Sequence, residues 1–277
     1  MPAAAGRLAW VLLLLAACGG DGAADIVQET ASKLGEIRSG ILDLRVAAQG
    51  DATPGVGFEL RGPFQLPDND TELPVADLSY VQFQDDETIE RRFIGTGDAA
   101  YVEVDDQAYE LSADQIAGLT GPPSGEGGAG VFDELDIGGW LVEPRVGEPE
   151  NEDGDEVRRV TGTLDVVAAM NDLFSVARQL GAPTDAFVPL EGEDAEQLRD
   201  AVDSSRMEVV TGDEDRLLRH VEIEVSFGLD DAEMRELLGP LGGTTFTFEM
   251  SIEDPNEPVE VVPPDAPLPY TELIPQA

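Results

Sequence analysis

Apolar and polar residues alternate along most of the chain, a pattern typical of strands with one buried and one solvated face. Before residue 112 the alternation predicts strands at Ile41–Gln49, Gly57–Phe64, Leu78–Gln84, Thr88–Thr96, Ala100–Val104 and Gln107–Leu111. After it, strands are predicted at Trp140–Val146, Glu156–Asp165, Arg206–Thr211, Leu217–Phe227 and Thr244–Ile252. The pairs Asp85-Asp86 and Asp105-Asp106 stand where tight turns would join neighbouring strands. We therefore predict an antiparallel meander.

Helical periodicity replaces the alternation at a few places. Asp165 is the predicted N-cap of the clearest helix, whose apolar stripe reaches Leu180 before Gly181 ends it. An N-terminal helix is predicted from the N-cap Asp25 to Ser39-Gly40, and shorter helices are predicted at Ala113–Gly118, Asp194–Val202 and Asp231–Leu238. Strands and helices in this order predict a single α+β domain, in which a sheet of this size must curl or close.

Three segments are predicted to be loops: residues 67–77, Gly118–Gly130 and Pro149–Asp155. Gly118–Gly130 has no phosphate-binding glycine motif, so it is either a flexible connection or a lid at the mouth of a cavity. The proline-rich tail, Pro255 to Pro275, is predicted to form an extended edge segment at most.

The chain begins with a short apolar run, Leu8–Ala17, that follows Arg7. A cationic start, an apolar core and small residues before a cleavage point are typical of a secretory signal peptide, and the run is too short to span a bilayer. It closes with Leu15-Ala16-Ala17-Cys18, which resembles a bacterial lipobox, the motif whose cysteine is acylated and becomes the new N-terminus. We therefore predict a signal peptide at residues 1–17, a lipidated Cys18 with a flexible tether at residues 18–24, and one domain at residues 25–277. The predicted location is the extracytoplasmic face of the cell membrane.

Acidic residues dominate the composition: 58 Asp and Glu stand against 16 Lys and Arg, for a formal net charge of −42. This charge repels nucleic acid and anionic membrane surfaces at long range, so nucleic acid is excluded as a partner. Either the acidic residues attract a cationic partner or they form a solvated surface, and their even spread along the chain favours the solvated surface. Cys18 is the only cysteine, so we expect no disulfide.

Few residues offer catalytic or metal-binding chemistry. The single histidine, His220, falls on the polar face of its predicted strand beside Glu222 and Glu224, with no nucleophile near it in sequence. Zinc is disfavoured by one histidine and no free cysteine. Residues 151–156 offer oxygen ligands for calcium, but their spacing is not that of an EF-hand, and a solvated acidic hairpin is favoured. We therefore predict no enzyme activity, no cofactor and no metal.

Large apolar side chains are the remaining candidates for a site. Six of them fall on the apolar faces of predicted strands: Phe58, Leu60, Phe64, Phe227, Phe246 and Phe248. They either fill a core or line a cavity for an apolar ligand. Both interpretations stay open at this point, because the alternation is the same around a filled core and around a hollow one.

The order of these parts resembles the LppX/LprG family of actinobacterial lipoproteins and, more distantly, the LolA-like carriers. The likeness rests on Cys18, the small-residue tether, the helix that ends near Ser39, the meander, two central helices, and two long closing strands with a proline-rich tail. It covers most of residues 18–263. It implies a large curved, open antiparallel sheet, a half-barrel, that wraps a few helices and leaves an apolar cavity for the acyl chains of a lipid or lipoglycan.

Three functions follow as hypotheses. The first is a membrane-tethered envelope lipoprotein that binds or shuttles a lipid or lipoglycan in that cavity. The second is an acidic surface interaction or sensory module with a filled core and no lipid cargo, which acts through its acidic face on a cationic partner; an unidentified envelope protein is the candidate partner. The third is an envelope hydrolase, which would require His220 to meet a serine hydroxyl and a carboxylate. The volume of the cavity separates the first two, and salt-dependent binding of a partner supports the second.

Overall fold

The computed structural model describes residues 21–50, 55–67, 72–84, 87–112, 115–116, 136–152, 154–179, 189–228 and 243–273. Several predicted features lie outside the described residues: the signal peptide, the lipidated Cys18, Asp85-Asp86, Gly118–Gly130, Gly181 and the helix Asp231–Leu238. Within the described residues, the elements form one large sheet with three helices.

A sheet of 13 strands organises the fold. In chain order the strands are β1 (Ser39–Gly50), β2 (Val56–Gln65), β3 (Val75–Gln84), β4 (Glu87–Thr96), β5 (Ala100–Val104), β6 (Gln107–Glu110), β7 (Leu141–Val146), β8 (Glu150–Glu152), β9 (Asp155–Leu164), β10 (Val202–Gly212), β11 (Leu218–Phe227), β12 (Thr244–Glu253) and β13 (Leu268–Pro269). Their spatial order is β13-β6-β5-β4-β3-β2-β1-β12-β11-β10-β9-β7, with β8 paired to β9. The β6–β13 pair is parallel and the other pairs are antiparallel. The two ends of this order do not meet, so the predicted large, open antiparallel sheet with a few helices is confirmed.

The predicted strands are all present, with ends that differ from the prediction by at most four residues. Two of the predicted loops are shorter than expected, because backbone pairing reaches into them. Val75 pairs with both Gln65 and Thr96, which extends β3 into the predicted loop at residues 67–77. Glu150–Glu152 pairs with β9, so the predicted acidic turn is a short hairpin. The turn at Asp105-Asp106 is present, and both residues have positive φ, at 50° and 62°.

The N-terminal helix differs most from its prediction. Helix α1 spans Asp21–Ser32, so it includes residues 21–24, which the sequence analysis assigns to the tether. Ala23 is 0% exposed, and its burial in the core explains the early start. Ser39 and Gly40 belong to β1 instead of ending the helix. Tertiary hydrogen bonds hold the chain extended there: the Arg38 amide donates to Asn256 Oδ1 at 2.8 Å, and Ser39 Oγ donates to the Glu257 carbonyl at 2.7 Å.

Local hydrogen bonds fix the starts of the later helices. Helix α2 (Val166–Gln179) begins after Asp165, whose Oδ1 accepts hydrogen bonds from the amides of Val167 and Ala168, both at 3.1 Å, so the predicted N-cap is confirmed. At residue 112, the Ser112 amide donates to Gln115 Oε1 at 2.8 Å and the Gln115 amide donates to Ser112 Oγ at 3.4 Å, which forms a capping box. Helix α3 spans Gly192–Ala201, within two residues of its prediction.

Replacing Asp165 with alanine is expected to lower the free energy of unfolding by about 1 kcal/mol, because two amides in the first turn of α2 lose their acceptor. Asparagine accepts the same hydrogen bonds, so Asp165→Asn is the matched control and should stay close to the parent protein. Urea denaturation followed by far-UV circular dichroism measures both values. Equal losses for the two variants would contradict the capping role.

The helices pack on one part of the sheet. Within the described residues, α1 contacts β7 and β9, α3 contacts β10, and α2 contacts α3 and the 3₁₀ turn Ile137–Trp140. The buried core that they form with the sheet includes the strand residues Val160, Leu164, Met207, Val209, Val221 and Val225. We call the face of the sheet that carries these side chains the inner face, and the opposite one the outer face.

Candidate functional site

Strand register extends the inner face from the core across the rest of the sheet. Met250 of β12 lies opposite Val221 of the core and, on its other side, opposite Leu44 of β1. Leu44 lies opposite Leu60 of β2, and Leu60 lies opposite Tyr80 of β3. Directly opposed residues in antiparallel strands share a face, so all of these side chains lie on the inner face. None of the three described helices packs extensively on β1–β5, and we call the inward positions of these five strands the open face.

Side chains of the open face are apolar but incompletely buried. Ile89 and Phe93 of β4 are 48% and 42% exposed, and Leu44 and Leu60 are half-buried. In contrast, Met207 in the core is 0% exposed. Covering apolar surface of this kind is favourable by about 25 cal/mol per Å². The open face is therefore a surface on which an apolar ligand gains binding energy.

The six side chains predicted to line a cavity all lie on the inner face by register. Three of them pack against the buried core: Phe64, Phe227 and Phe248. The other three are half-buried and lie outside that core: Phe58, Leu60 and Phe246. Within the described residues, these last three side chains border an open surface. The apolar cavity that the six side chains are predicted to line stays a prediction.

An aromatic row that the sequence analysis did not single out crosses the open face. It consists of Phe58 on β2, Tyr80 on β3 and Phe93 on β4. The ring centroids of Phe58 and Tyr80 are 6.0 Å apart, and those of Tyr80 and Phe93 are 6.3 Å apart with an interplanar angle of 66°. These separations fall in the range of favourable aromatic pairs. Apolar and polar residues also alternate in β3 and β4. The reasoning that identifies Phe58 could therefore have identified Tyr80 and Phe93 as well.

Ion pairs between neighbouring strands lie on the outer face. They include Arg45–Glu59, Arg61–Asp43 and Arg206–Glu222. Arg92 of β4 lies between two carboxylates, with its Nε 2.6 Å from Asp77 Oδ1 and its Nη1 3.2 Å from Glu103 Oε2. The hydrogen bond to Asp77 raises the pKa of the Arg92 guanidinium above its usual value. These ion pairs make the outer face the more charged side of the sheet, although Ile94 of β4 is buried on the same face.

The turn between β10 and β11 ties the sheet to α1. Arg158 Nε donates to Asp213 Oδ1 at 2.5 Å, and this hydrogen bond is the main reason why the pKa of the Asp213 carboxyl is lowered. Lys33, just after α1, donates to the backbone carbonyl of Asp215 at 2.9 Å. These groups are held by partners within the fold, which indicates a structural role for them.

One group of potential metal ligands occurs among the described residues, and it lies on the outer face. Glu208, His220 and Glu222 offer ligand atoms within 4.8 Å of one another. Arg159 forms an ion pair with Glu208, and Arg206 forms one with Glu222 at 2.6 Å. A cation would have to compete with both guanidinium groups, so the arrangement favours ion pairing over metal binding.

The same histidine is the candidate base under the hydrolase hypothesis. Ser251 of β12 lies opposite His220 across the β11–β12 pair. The His220 imidazole makes no hydrogen bond within the described part of the chain. A nucleophile needs a hydrogen-bonded base beside it, and free backbone amides must stabilise the oxyanion. Backbone amides in a strand pair are engaged in the sheet, so this position does not assemble hydrolase chemistry.

Two clefts lie away from the open face. One, of about 580 Å³, is on the outer side and is lined mainly by polar residues that include Arg159, Arg219 and Asp254. The other, of about 370 Å³, lies where β1 ends and β12 begins, beside Gln49 and Thr245. Their polar linings suit neither an acyl chain nor another apolar ligand.

In the described residues, no helix combines the length and the apolar character needed to cross a bilayer.

No family model matches the chain, and no curated protein matches it. Among solved structures, the chain is similar to LprF from Mycobacterium bovis, with 11% identity and a TM-score of 0.42 over 89% of this chain and 98% of that one. It is similar to the Mycobacterium tuberculosis lipoprotein LppX, with 13% identity and a TM-score of 0.39 over 87% of this chain and 98% of that one. It is also similar to a LolA superfamily protein from Nitrosomonas europaea, with 10% identity and a TM-score of 0.21 over 84% and 94% of the two chains. LppX and the LolA-like carriers are also the proteins that the sequence resembles.

Proposed function

We propose that the protein is an envelope lipoprotein that binds a lipid or lipoglycan on its open face. In this proposal Cys18 carries the membrane anchor after removal of residues 1–17, and the domain holds or shuttles its cargo outside the cytoplasm. The observation that carries the proposal is the uneven cover of the sheet: helices pack around β7, β9 and β10, while apolar side chains of β1–β5 contact water. The domain acts by binding, and we assign no catalytic residue.

The size of the open face suits a long apolar chain. From β5 to β1 the open face crosses five strands, which is roughly 19 Å at a strand spacing of about 4.8 Å. Each methylene that is buried contributes about 0.8 kcal/mol, whereas association itself costs about 4–15 kcal/mol. Several methylenes must therefore be covered before binding is favourable, so an acyl chain fits this face better than a small polar ligand.

Native mass spectrometry of the full chain, purified from a lipid-rich bacterial host, tests the proposal. We expect a co-purifying mass of lipid size that is lost on organic extraction. A covalent acyl group on Cys18 would survive the extraction, so cargo and anchor are distinguished. A mass without ligand, together with no uptake of a fluorescent fatty acid or diacylglycerol, would contradict the proposal.

The acidic interaction module makes a different prediction about salt. A partner held by charges on the outer face would dissociate as salt rises, because the Debye length falls from about 10 Å at 0.1 M to about 3 Å at 1 M. Lipid uptake through apolar contacts should not weaken over the same range. A salt titration of lipid uptake therefore separates the two functions.

A further inference from the structure

Arg91 stands on the open face among apolar side chains. It lies opposite Tyr80 of β3, and its inward neighbours on β4 are Ile89 and Phe93, which are 48% and 42% exposed. Tyr80 donates its hydroxyl proton to Gln82 Oε1 at 3.4 Å, so an amide group lies on the same side of the neighbouring strand. A cationic group with an amide and a hydroxyl close by thus borders the aromatic row.

Arg91 has no carboxylate partner among the described residues, although the chain contains 58 acidic residues and only 16 basic ones. Its one hydrogen bond runs from Nη1 to the backbone carbonyl of Glu90 at 2.6 Å. The next residue, Arg92, lies on the outer face and is held by Asp77 and Glu103. Two adjacent arginines therefore have opposite surroundings, one paired in a charged network and one unpaired beside apolar surface.

The inner face of the sheet carries few acidic residues around Arg91. In the described strands, the inward positions of β1, β2, β3, β5 and β12 carry no acidic residue. On β4 the inward acidic residue is Glu87 at the exposed end of the strand, about 13 Å from Arg91 along the backbone. The Debye length is about 8 Å at physiological ionic strength, so Glu87 is largely screened at this distance. The open face is therefore locally positive at Arg91, although the whole chain carries a charge of −42.

We propose that Arg91 binds the head group of the cargo and that the cargo is an anionic phospholipid. This inference rests on the proposed function, because it names the class of lipid that the open face takes. A guanidinium donates strong charge-assisted hydrogen bonds to a phosphodiester oxygen. The acyl chains of the same molecule then cover Phe58, Tyr80 and Phe93. The lipid thus meets a cation and an apolar surface that adjoin each other.

Uptake of fluorescent phosphatidylglycerol and phosphatidylcholine with identical acyl chains by the full chain tests this assignment. We expect the parent protein to bind phosphatidylglycerol about tenfold more tightly, because the choline cation of phosphatidylcholine offsets the charge of the phosphodiester that Arg91 binds. Arg91→Gln should remove this preference, because it weakens phosphatidylglycerol binding more than phosphatidylcholine binding, and Arg91→Lys should restore part of the preference. Arg92→Gln is the matched control, because it removes the same charge from the same strand on the opposite face and should keep the preference.

Each outcome decides a separate point. Equal affinities of the parent protein for the two lipids would overturn the role of Arg91 and leave the proposed function in place. An equal loss of preference in Arg92→Gln would also overturn it, because net charge would then be the cause. No uptake of either lipid would overturn the proposed function itself. Inorganic phosphate should not displace the lipid at millimolar concentration, and displacement would show that the apolar contacts do not hold it.

Discussion

Replacing Leu60 with glutamate is expected to weaken lipid uptake about a hundredfold or more at pH 7. Leu60 lies on the open face, opposite Leu44 on one side and Tyr80 on the other. A lipid that covers this position must remove the new carboxylate from water, which is strongly unfavourable without a partner. Protonation limits the cost: with an ordinary pKa of about 4.3, neutralising the group at pH 7 costs about 3.7 kcal/mol.

The pH dependence of this variant gives its defect a specific signature. At about pH 5 the same protonation costs only about 1 kcal/mol, so uptake by Leu60→Glu should recover most of its loss. The matched control is Ser79→Glu, which adds the same charge to the outer face of β3, where Ser79 lies opposite Arg61. Ser79→Glu should bind lipid like the parent protein at both pH values. Parent-like uptake by Leu60→Glu, with an unchanged circular dichroism spectrum, would contradict the assignment of the open face.

Replacing Trp140 with alanine is expected to lower the free energy of unfolding by about 3–5 kcal/mol. Trp140 is 5% exposed, and its 3₁₀ turn contacts both α1 and α2. Its indole N–H donates to Asp172 Oδ2 at 2.7 Å, so the side chain joins the turn to α2 by packing and by a hydrogen bond. Removing it leaves a large cavity at the point where two helices meet the sheet.

Trp140→Phe separates the two contributions, because it keeps most of the buried ring and loses the hydrogen bond. We expect this variant to lose about 1 kcal/mol. Urea denaturation followed by far-UV circular dichroism measures both variants. A loss for the alanine variant as small as that for phenylalanine would mean that the ring does not hold the helices on the sheet.

Most of the sheet could be predicted from the sequence, because a period of two marks a strand with different surroundings on its two sides. The errors arise where tertiary contacts decide the local structure. Ala23 looks like part of a flexible tether, yet its burial makes it part of α1. Trp140 looks like the first residue of a strand, yet it lies in a 3₁₀ turn held by its contact with Asp172.

The site could be predicted less completely than the fold. Leu60 and Val221 occupy equivalent positions in alternating strands, yet Leu60 lies on the open face and Val221 in the buried core. Their difference depends on where α1, α2 and α3 pack, which the alternation within a single strand does not encode. Arg91 and Arg92 are adjacent and chemically identical, and the sequence alone does not show that Asp77 and Glu103 hold Arg92.

Photo-crosslinking with a phospholipid that carries a reactive group at the end of an acyl chain tests the central claim most directly. Peptide mapping by mass spectrometry after irradiation identifies the residues that the acyl chain contacts. The lipid-binding account predicts cross-links at the inward positions of β2, β3 and β4, with Phe58, Tyr80 and Phe93 among them. Cross-links confined to outer-face residues such as Ser79, or yields no higher than without irradiation, would contradict it.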